Sequence, residues 1–340
     1  MMNATNRFAS RHQVIGAIDA GSNALRAAVA HVDEAGQPMV IARRRIPVRL
    51  GHRVFTEELL SVETIAEAVN AFDALAGFLA GHGVEMLRAV GTSAVRTARN
   101  RARLQSAIYG RTGIELAAIH GNDEATLVRQ AVCRAFGNRP APRVIADLGG
   151  GSLELSLLAG GVFERSRVLP LGTVRLLETR ALRGPISQAY AARLRTDIIF
   201  QLEDTLGLPP MIDGGVVAVT GGNARTLARL APGSRHGSMP SIHTGALLQV
   251  ITQSCALTVP QRMETYEVRR DRAEVLGVAA VVLATLAEWL GAEELVVPGV
   301  GLIEGILLDV AQRSTSRRLQ PHRHTDEQRL TPDIANVCFE

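Results

Sequence analysis

The sequence contains no lysine, and all 37 of its basic residues are arginine. Without lysine the chain has no P-loop, no kinase lysine and no Schiff-base chemistry, because each of these needs a lysine amine. Arginine is permanently charged and its planar guanidinium binds phosphate oxygens in pairs, although mutational bias in a GC-rich genome is sufficient to explain the absence of lysine itself. The net charge of +4 suits an anionic ligand without requiring nucleic acid.

Aromatic residues and cysteines are also scarce. Aromatics make up 4% of the chain, too few for base-stacking platforms, so we expect no nucleic-acid partner. The widely spaced Cys133, Cys255 and Cys338 predict free thiols in a reducing cytoplasm, not a disulfide framework or a zinc site. There is no signal-peptide pattern, and the most apolar stretch, residues 275–290, is interrupted and too short to cross a bilayer. We therefore expect a cytoplasmic protein with no membrane partner.

A glycine cluster between two apolar runs stands out, within residues 143–158 (RVIADLGGGSLELSLL). The alternating apolar residues on both sides predict a β-hairpin. Three successive glycines, residues 149–151, cost chain entropy, and we interpret them as presenting backbone N–H groups to an anion such as phosphate. Asp147 before the turn and Glu154 after it would place two carboxylates beside that anion, as in a Mg²⁺ site. The alternative is a glycine-rich turn at the surface.

The beginning of the chain repeats this pattern. Residues 14–19 (VIGAID) form an apolar run that ends in Asp19, and a Gly-Ser-Asn turn, residues 21–23, precedes a second apolar run. The repeat predicts a duplicated domain, in which two hairpins face each other and hold one polyanion from both sides. For the first hairpin alone, the alternative is an ordinary Asx turn.

Two helix starts carry further candidates. A strand over residues 86–90 leads to a hydroxyl-rich turn and a helix with Arg96, and a helix N-terminus with an arginine one turn in is a good anion site. The alternative is that Thr92 or Ser93 only caps this helix. Glu124 lies in the first turn of a later helix, where acidic residues commonly favour the helix dipole. On sequence alone Glu124 is therefore a cap residue rather than a catalyst.

Two more segments have a functional and a structural interpretation. Residues 216–222 (VVAVTGG) form a buried strand that ends in two glycines, followed by Asn223, and this is a third candidate phosphate loop. Its alternative is a strand-to-helix turn that simply needs glycine. The basic segment of residues 43–53 predicts a solvated edge strand that charge protects from unwanted pairing, with attraction of phosphate as the alternative.

Strands alternate with helices along the whole chain, which predicts an α/β protein with mixed sheets. A length of 340 residues favours two domains, and GNRPAP at residues 137–142 is the clearest linker. We expect a disordered N-terminus, two domains, and a polar C-terminal tail or docked helix. The expected ranges are 1–13, 14–138, 139–312 and 313–340.

Five motifs in this order resemble the exopolyphosphatase / guanosine pentaphosphate phosphohydrolase family. They are AIDAGSNALR (17–26), AVGTSAVRTARN (89–100), HGNDEA (120–125), ADLGGGSLEL (146–155) and TGGNARTLA (220–228), supported by VRLG (48–51) and the region of 271–305. The resemblance spans roughly residues 14–310. It implies a duplicated ribonuclease H-like fold, shared with actin-like ATPases, with the active site in the interdomain cleft.

The resemblance also implies an activity and its residues. The family uses Mg²⁺, with Mn²⁺ as an alternative, to release terminal phosphate from polyphosphate or the 5′-phosphate of pppGpp, a nucleotide of the stringent response. Glu124 would be the general base, Glu154 would help to hold the metal or the attacking water, and Asp147 and Asp19 would be metal ligands. The implied phosphate contacts are Gly21, Ser22, Asn23, Arg26, Arg96, Gly149, Gly150, Gly151, Ser152, Gly221, Gly222 and Asn223.

Departures from the family pattern leave the substrate open. Ala24, Asn223 and Ile303 stand where a serine, a threonine and an arginine are usual, and the His-Asp dipeptide of longer members does not occur. We expect polyphosphate as the first substrate, pppGpp as the second, and a homodimer. The alternatives are an ATPase or kinase of the same fold, and a protein that senses (p)ppGpp or polyphosphate with little turnover.

Overall fold

Two mixed β-sheets organise the computed structural model, which describes residues 13–182, 184–207, 209 and 214–319. In this part of the chain the first sheet consists of β1 (Gln13–Ala20), β2 (Leu25–Val32), β3 (Pro38–Ile46), β4 (Met86–Gly91) and β5 (Leu116–Ala118). The second consists of β6 (Val144–Leu148), β7 (Leu153–Ala159), β8 (Val162–Leu169), β9 (Val217–Thr220), β10 (Pro232–His236), β11 (Met239–His243) and β12 (Glu294–Val296).

Helices connect the strands and flank both sheets. Ser61 accepts a hydrogen bond from the Thr64 backbone N–H at 3.1 Å and so begins the second helix, which ends at Gly81. The helices are α1 (Val54–Glu57), α2 (Val62–Gly81), α3 (Ser93–Thr97), α4 (Arg101–Thr112), α5 (Gly121–Phe136), α6 (Thr173–Thr179), α7 (Gln188–Leu206), α8 (Ala224–Leu230), α9 (Thr244–Ala256), α10 (Val259–Tyr266), α11 (Arg270–Leu290) and α12 (Leu302–Leu319).

The two sheets share one topology. The first has the order β3-β2-β1-β4-β5, with antiparallel neighbours up to β1 and parallel neighbours from β1 onward. The second repeats this order as β8-β7-β6-β9-β12 and extends it with the β11–β10 hairpin. The duplicated ribonuclease H-like fold is therefore confirmed. The β10–β11 hairpin was not predicted, because its short strands carry few alternating apolar residues.

Two helices lie between the sheets and join them. α12 packs against α5 and against β1 and β4 of the first sheet, while α5 also contacts β7 and β8 of the second. One core cluster accordingly contains Ile15 and Val90 from the first sheet, Ile145 and Ala218 from the second, and Ile306 of α12. Although α12 begins within residues 139–312, the range predicted for the second domain, it thus packs on the first sheet. It runs on to residue 319, and the rest of the predicted tail, like residues 1–12, lies outside the described part.

α11 is the central helix of the second domain. It has 21 residues and is long and apolar enough to cross a membrane, but 83% of its most apolar window is buried inside the protein. The apolar stretch of residues 275–290 is therefore explained as a core helix. Its polar first turn, residues 270–272, reaches the junction with the first domain, where Asn23 Nδ2 donates to the carbonyl oxygen of Asp271 at 3.0 Å.

Candidate active site

Three buried carboxylates from distant parts of the chain meet beside the interdomain junction. Asp147 of β6 pairs across the hairpin with Glu154 of β7, so both side chains leave the same face of the sheet. Glu124 comes from the first turn of α5. One oxygen of each carboxylate lies within 4.8 Å of an oxygen of the other two. The structure thus brings together the predicted base and two of the predicted metal ligands.

Burial raises the pKa of all three carboxyl groups. It raises the pKa of Glu124 to about 8, opposed by the Arg96 guanidinium and supported by the charge of Asp147. Burial likewise raises the pKa of Glu154 well above its ordinary value, and the charges of Glu124 and Asp147 add to the effect. Burial also raises the pKa of Asp147, although a hydrogen bond from Thr220 opposes this rise. Three negative charges so close together repel one another unless a proton or a cation joins them.

The donor set fits a hard divalent cation. Thr220 Oγ1 donates to Asp147 Oδ1 at 2.6 Å, and Ser152 Oγ donates to Glu154 Oε1. Glu154 Oε2 is buried and has no hydrogen-bond partner in the described part of the chain. A buried carboxylate oxygen without a donor is unfavourable unless a cation or a proton is bound. Clustered carboxylate oxygens suit Mg²⁺ and Mn²⁺ alike.

The corresponding positions of the first hairpin hold an ion pair. Asp19 and Arg26 face each other across β1 and β2, and Arg26 Nη1 lies 3.0 Å from Asp19 Oδ2. Within the described residues Asp19 stays outside the group of three carboxylates, and burial raises its pKa despite Arg26. Its Oδ1 and the Ser22 hydroxyl are buried, and neither has a hydrogen-bond partner among the residues that the structure describes. The role of Asp19 as a metal ligand stays a prediction.

A cleft of about 400 Å³ opens between the two hairpins. Its walls combine glycine turns, whose backbone N–H groups can bind an anion, with arginine side chains. Gly221 has a φ of +103°, and a Cβ atom there would lie 2.3 Å from the carbonyl oxygen of Leu148, so only glycine fits. The predicted residues that line the cleft are Asp19, Gly21, Ser22, Asn23, Arg26, Glu124, Asp147, Gly149, Gly150, Gly221, Gly222 and Asn223.

The other four predicted residues do not line the cleft. Arg96 Nη1 donates to Glu124 Oε2 at 3.1 Å and to the carbonyl oxygen of Ile119 at 2.7 Å. The Ser152 hydroxyl is occupied by Glu154. Gly151 packs so closely on α3 that a Cβ atom would lie 2.3 Å from Ser93 Oγ. In this structure Arg96 and Ser152 orient the carboxylates, and their roles as phosphate ligands stay predictions.

Sequence reasoning missed several cleft residues. Arg45 of β3, Arg225 of α8 and Arg272 of α11 line the cleft, together with Thr220 and Glu304. For Arg45 a signal existed, because the basic segment had attraction of phosphate as its alternative interpretation. For Arg272 there was no local signal, since only the packing of α11 brings the start of that helix to the first domain.

The three residues that depart from the family pattern have defined surroundings in the structure. Asn223 Oδ1 accepts a hydrogen bond from Arg272 Nη1 at 2.9 Å, so the asparagine holds a cleft arginine. Ile303 is buried in the core between the two sheets. Ala24 is buried beside the first hairpin turn. Ser93 is the first residue of α3, and within the described part of the chain its N-cap residue Thr92 makes no capping hydrogen bond through its side chain.

Comparisons with known proteins bear on the family and the fold. The sequence profile described as the Ppx/GppA phosphatase family matches residues 28–314. Exopolyphosphatase 2 of Mycobacterium tuberculosis is 30% identical over 314 residues, covering 87% of this chain and 98% of that protein. Exopolyphosphatase 1 of the same species is 28% identical over 302 residues, covering 86% and 87%. The crystal structure of an exopolyphosphatase from Cytophaga hutchinsonii superposes with a TM-score of 0.78 at 20% identity, covering 88% and 98%, and shows the fold.

Proposed function

The chain belongs to the Ppx/GppA phosphatase family, and on that premise we propose that it releases terminal orthophosphate from inorganic polyphosphate. The observation that carries the proposal is the group of Glu124, Asp147 and Glu154 beside a cleft walled by glycine turns and arginines. The cleft offers donors for phosphate oxygens, and the carboxylates offer a base and ligands for a cation. Phosphoryl transfer needs these parts in one place.

The chemistry follows from the positions of the side chains. In the proposed step Glu124 accepts a proton from water, the water oxygen bonds to the terminal phosphorus, and the bridging P–O bond breaks. The products are orthophosphate and a chain shorter by one phosphate. A pKa raised to about 8 makes the deprotonated Glu124 a stronger base than an ordinary carboxylate, and the hydrogen bond from Arg96 orients it.

Charge on the phosphate oxygens is neutralised from several sides. Asp147 and Glu154 would hold Mg²⁺, which neutralises phosphate charge and supplies a Lewis acid when bound. Arg26 and the backbone N–H groups of the glycine turns would bind the remaining oxygens. The carboxylates, the arginine and the backbone N–H groups are held by the fold before the substrate binds, which is the condition for strong electrostatic stabilisation of a transition state.

Removal of the 5′-phosphate of pppGpp is the alternative substrate reaction. Among the described residues that line the cleft there is no aromatic side chain against which a guanine would stack. This favours a ligand made of phosphate alone. We therefore propose polyphosphate first and pppGpp second.

A side-by-side assay of phosphate release tests the proposal. The substrates are long-chain polyphosphate, tripolyphosphate, pppGpp and ATP, each with Mg²⁺, with Mn²⁺ and with EDTA. We expect the highest kcat/KM on polyphosphate with a divalent cation, and no release in EDTA. Conversion of ATP to ADP as the main reaction would indicate an ATPase, faster release from pppGpp would reverse the order, and binding without release would indicate a sensor.

A further inference from the structure

The start of α6 binds the carbonyl oxygens of the glycine turn in the second hairpin. The glycines at residues 149–151 accept hydrogen bonds in order from the backbone N–H of Thr173 at 3.1 Å, from that of Val174 at 2.7 Å and from Arg175 Nε at 2.7 Å. Three successive carbonyl oxygens of the turn therefore point toward α6.

This arrangement decides where the N–H groups of the turn point. The peptide bonds of the turn are trans, so each carbonyl oxygen and the N–H of the following residue point in opposite directions. The N–H groups of Gly150, Gly151 and Ser152 therefore point away from α6. In the described part of the chain none of these three groups donates to another backbone group. Successive N–H groups of this kind suit an anion, provided that their orientation is fixed.

The guanidinium of Arg175 extends from the turn to the first domain. Its Nη2 lies 3.4 Å from Ser93 Oγ and 3.5 Å from Thr97 Oγ1, both in α3, and the group stacks 4.1 Å from the centre of the Phe55 ring. α3 also carries Arg96, the residue that orients the proposed base. One side chain thus connects the glycine turn of the second domain with this helix of the first.

Arg175 has hydrogen-bond partners but no counter-ion among them. Its acceptors in the described part of the chain are one carbonyl oxygen and two hydroxyl groups. Burial lowers its pKa, and the positive charge of Arg96 lowers it further. Partial burial of a guanidinium without a carboxylate is unfavourable. The groups that Arg175 orients therefore explain its position better than a gain in stability does.

We propose that Arg175 is a positioning residue, which fixes the turn of residues 149–152 against α3 so that the N–H groups of the turn meet the phosphate that water attacks. The inference rests on the proposed function for its substrate class. Arg175 acts through the turn, because it binds the carbonyl side and is not among the described residues that line the cleft. Displaced donors lose much of their effect on a transition state, since they must then reorient during the reaction.

Three variants separate orientation from charge and from folding. Arg175→Ala removes the donor to the turn and leaves space beside the Phe55 ring. Arg175→Lys keeps the charge but loses the planar fork that reaches the turn and α3 together. Arg180→Ala is the matched control, because it removes the same charge from the other end of α6, where Arg180 lies 2.8 Å from Asp197.

Steady-state phosphate release from polyphosphate with Mg²⁺ is the first measurement. We expect R175A to lower kcat about tenfold or more and to change KM less, because the cleft arginines still bind the ground state. R175K should stay close to R175A, and R180A should behave as wild type. Guanidinium chloride at millimolar concentration should restore the kcat of R175A several-fold, whereas the same concentration of sodium chloride should not.

The results that would overturn the proposal differ from these in direction. Wild-type kcat in R175A, with or without a lower Tm, would leave Arg175 a structural role only. Equal losses in R175A and R180A would indicate a general effect of charge on α6. Wild-type activity in R175K would show that the positive charge, and not the orientation of the turn, is the contribution of Arg175.

Hydrogen exchange without turnover separates this inference from the proposed function. In a Glu124→Gln background, tripolyphosphate with Mg²⁺ should slow exchange in peptides that contain residues 149–152, as measured by mass spectrometry, and R175A should remove most of this protection. If wild type releases no phosphate but this difference appears, the proposed function fails and the positioning role stands. If wild type hydrolyses polyphosphate and R175A keeps both its kcat and the protection, the positioning role fails.

Discussion

Asp147 faces Glu154 across one hairpin, and the equivalent positions of the other hairpin hold Asp19 and Arg26. The residue opposite the aspartate is therefore a glutamate in one hairpin and an arginine in the other. This difference of charge lets the two halves of the duplicated fold bind ligands of opposite charge. The acidic pair can bind a cation. The ion pair of the first half places a guanidinium at the cleft, where it can bind an anion.

Replacement of the proposed base tests the chemistry at the scale of a residue. We expect Glu124→Gln to lower phosphate release at least about a hundredfold, because an amide cannot accept the proton of water. Binding of tripolyphosphate should stay within several-fold, since the amide oxygen can still accept the hydrogen bond from Arg96. Steady-state phosphate release and calorimetry measure the two effects.

Asp123→Asn is the control for that variant. Asp123 lies in the same helical turn, is exposed, and loses the same charge on substitution. It should keep wild-type activity. If binding and release fell together in E124Q, Glu124 would be a helix cap rather than a base.

The same carboxylate predicts how stability depends on pH and metal. The pKa of Glu124 rises from 4.5 to about 8 in the folded protein, so the folded state binds the proton more tightly than the unfolded state. Its contribution to stability is complete below pH 4.5 and is lost as the pH rises through 8. In EDTA we therefore expect the Tm to fall between pH 5.5 and pH 8, as measured by calorimetry, and to fall less in E124Q.

Mg²⁺ should reverse this trend, because a cation binds the deprotonated carboxylates and stabilises the folded state. The rise in Tm on addition of Mg²⁺ should be larger at pH 8 than at pH 6. An equal rise at both pH values would mean that the cation does not bind at the carboxylates of Glu124, Asp147 and Glu154.

At the scale of elements, the glycine turn of the second hairpin has an open face and a packed face. Gly149 and Gly150 line the cleft, but α6 packs against Gly151 from the other side. Arg175 Nε donates to the carbonyl oxygen of Gly151 at 2.7 Å, and its guanidinium stacks 4.1 Å from the centre of the Phe55 ring. The turn is thus held in place by a helix of each domain, and part of its glycine content serves packing.

Substitution at the start of α6 should show this packing. A Cβ atom on Gly172 would lie 2.1 Å from the carbonyl carbon of Gly151, so we expect Gly172→Ala to lower the free energy of unfolding by about 1–3 kcal/mol or more. The control is Gly77→Ala within α2, where a Cβ atom meets open space. That change should raise stability by about 0.5–1 kcal/mol. Urea unfolding of both variants makes the measurement, and equal stability of the two would contradict the packing argument.

At the scale of the molecule, α5 and α12 set the position of one sheet relative to the other. α5 carries Glu124 and contacts the second sheet, while α12 packs on the first. Ion pairs across the cleft, Arg45 with Asp271 and Arg49 with Glu274, join the same two halves from another side. The geometry of the three carboxylates therefore depends on how closely these two helices pack.

Gly305 of α12 packs directly against the backbone of α5. A Cβ atom there would lie 2.2 Å from the carbonyl oxygen of Leu127 in α5. We expect Gly305→Ala to lower the free energy of unfolding by about 1–3 kcal/mol, and to lower kcat/KM on polyphosphate about tenfold or more, because small displacements of catalytic groups are costly. Gly110→Ala in α4, which meets open space, is the control. Lost stability with unchanged kinetics would separate the cleft from this helix pair.

The sequence by itself determined the local parts of this protein. Both hairpins, the glycine turns and the carboxylates at strand ends follow from side-chain period and turn chemistry, which act over a few residues. The repeated hairpin pattern predicted the duplication that the two sheets confirm. These features could be predicted because few local structures are compatible with such sequences.

Only the tertiary structure decided which of these parts meet. On sequence alone Glu124 was a cap residue, and it becomes a member of the acidic group because α5 packs between the sheets. Gly151 packs against α3, and α12 packs on the first sheet. Arg45 and Arg272 line one cleft although they belong to different domains. Such contacts join residues that are far apart in the chain, and burial of apolar surface over whole helices and sheets selects them, so no local pattern carries them.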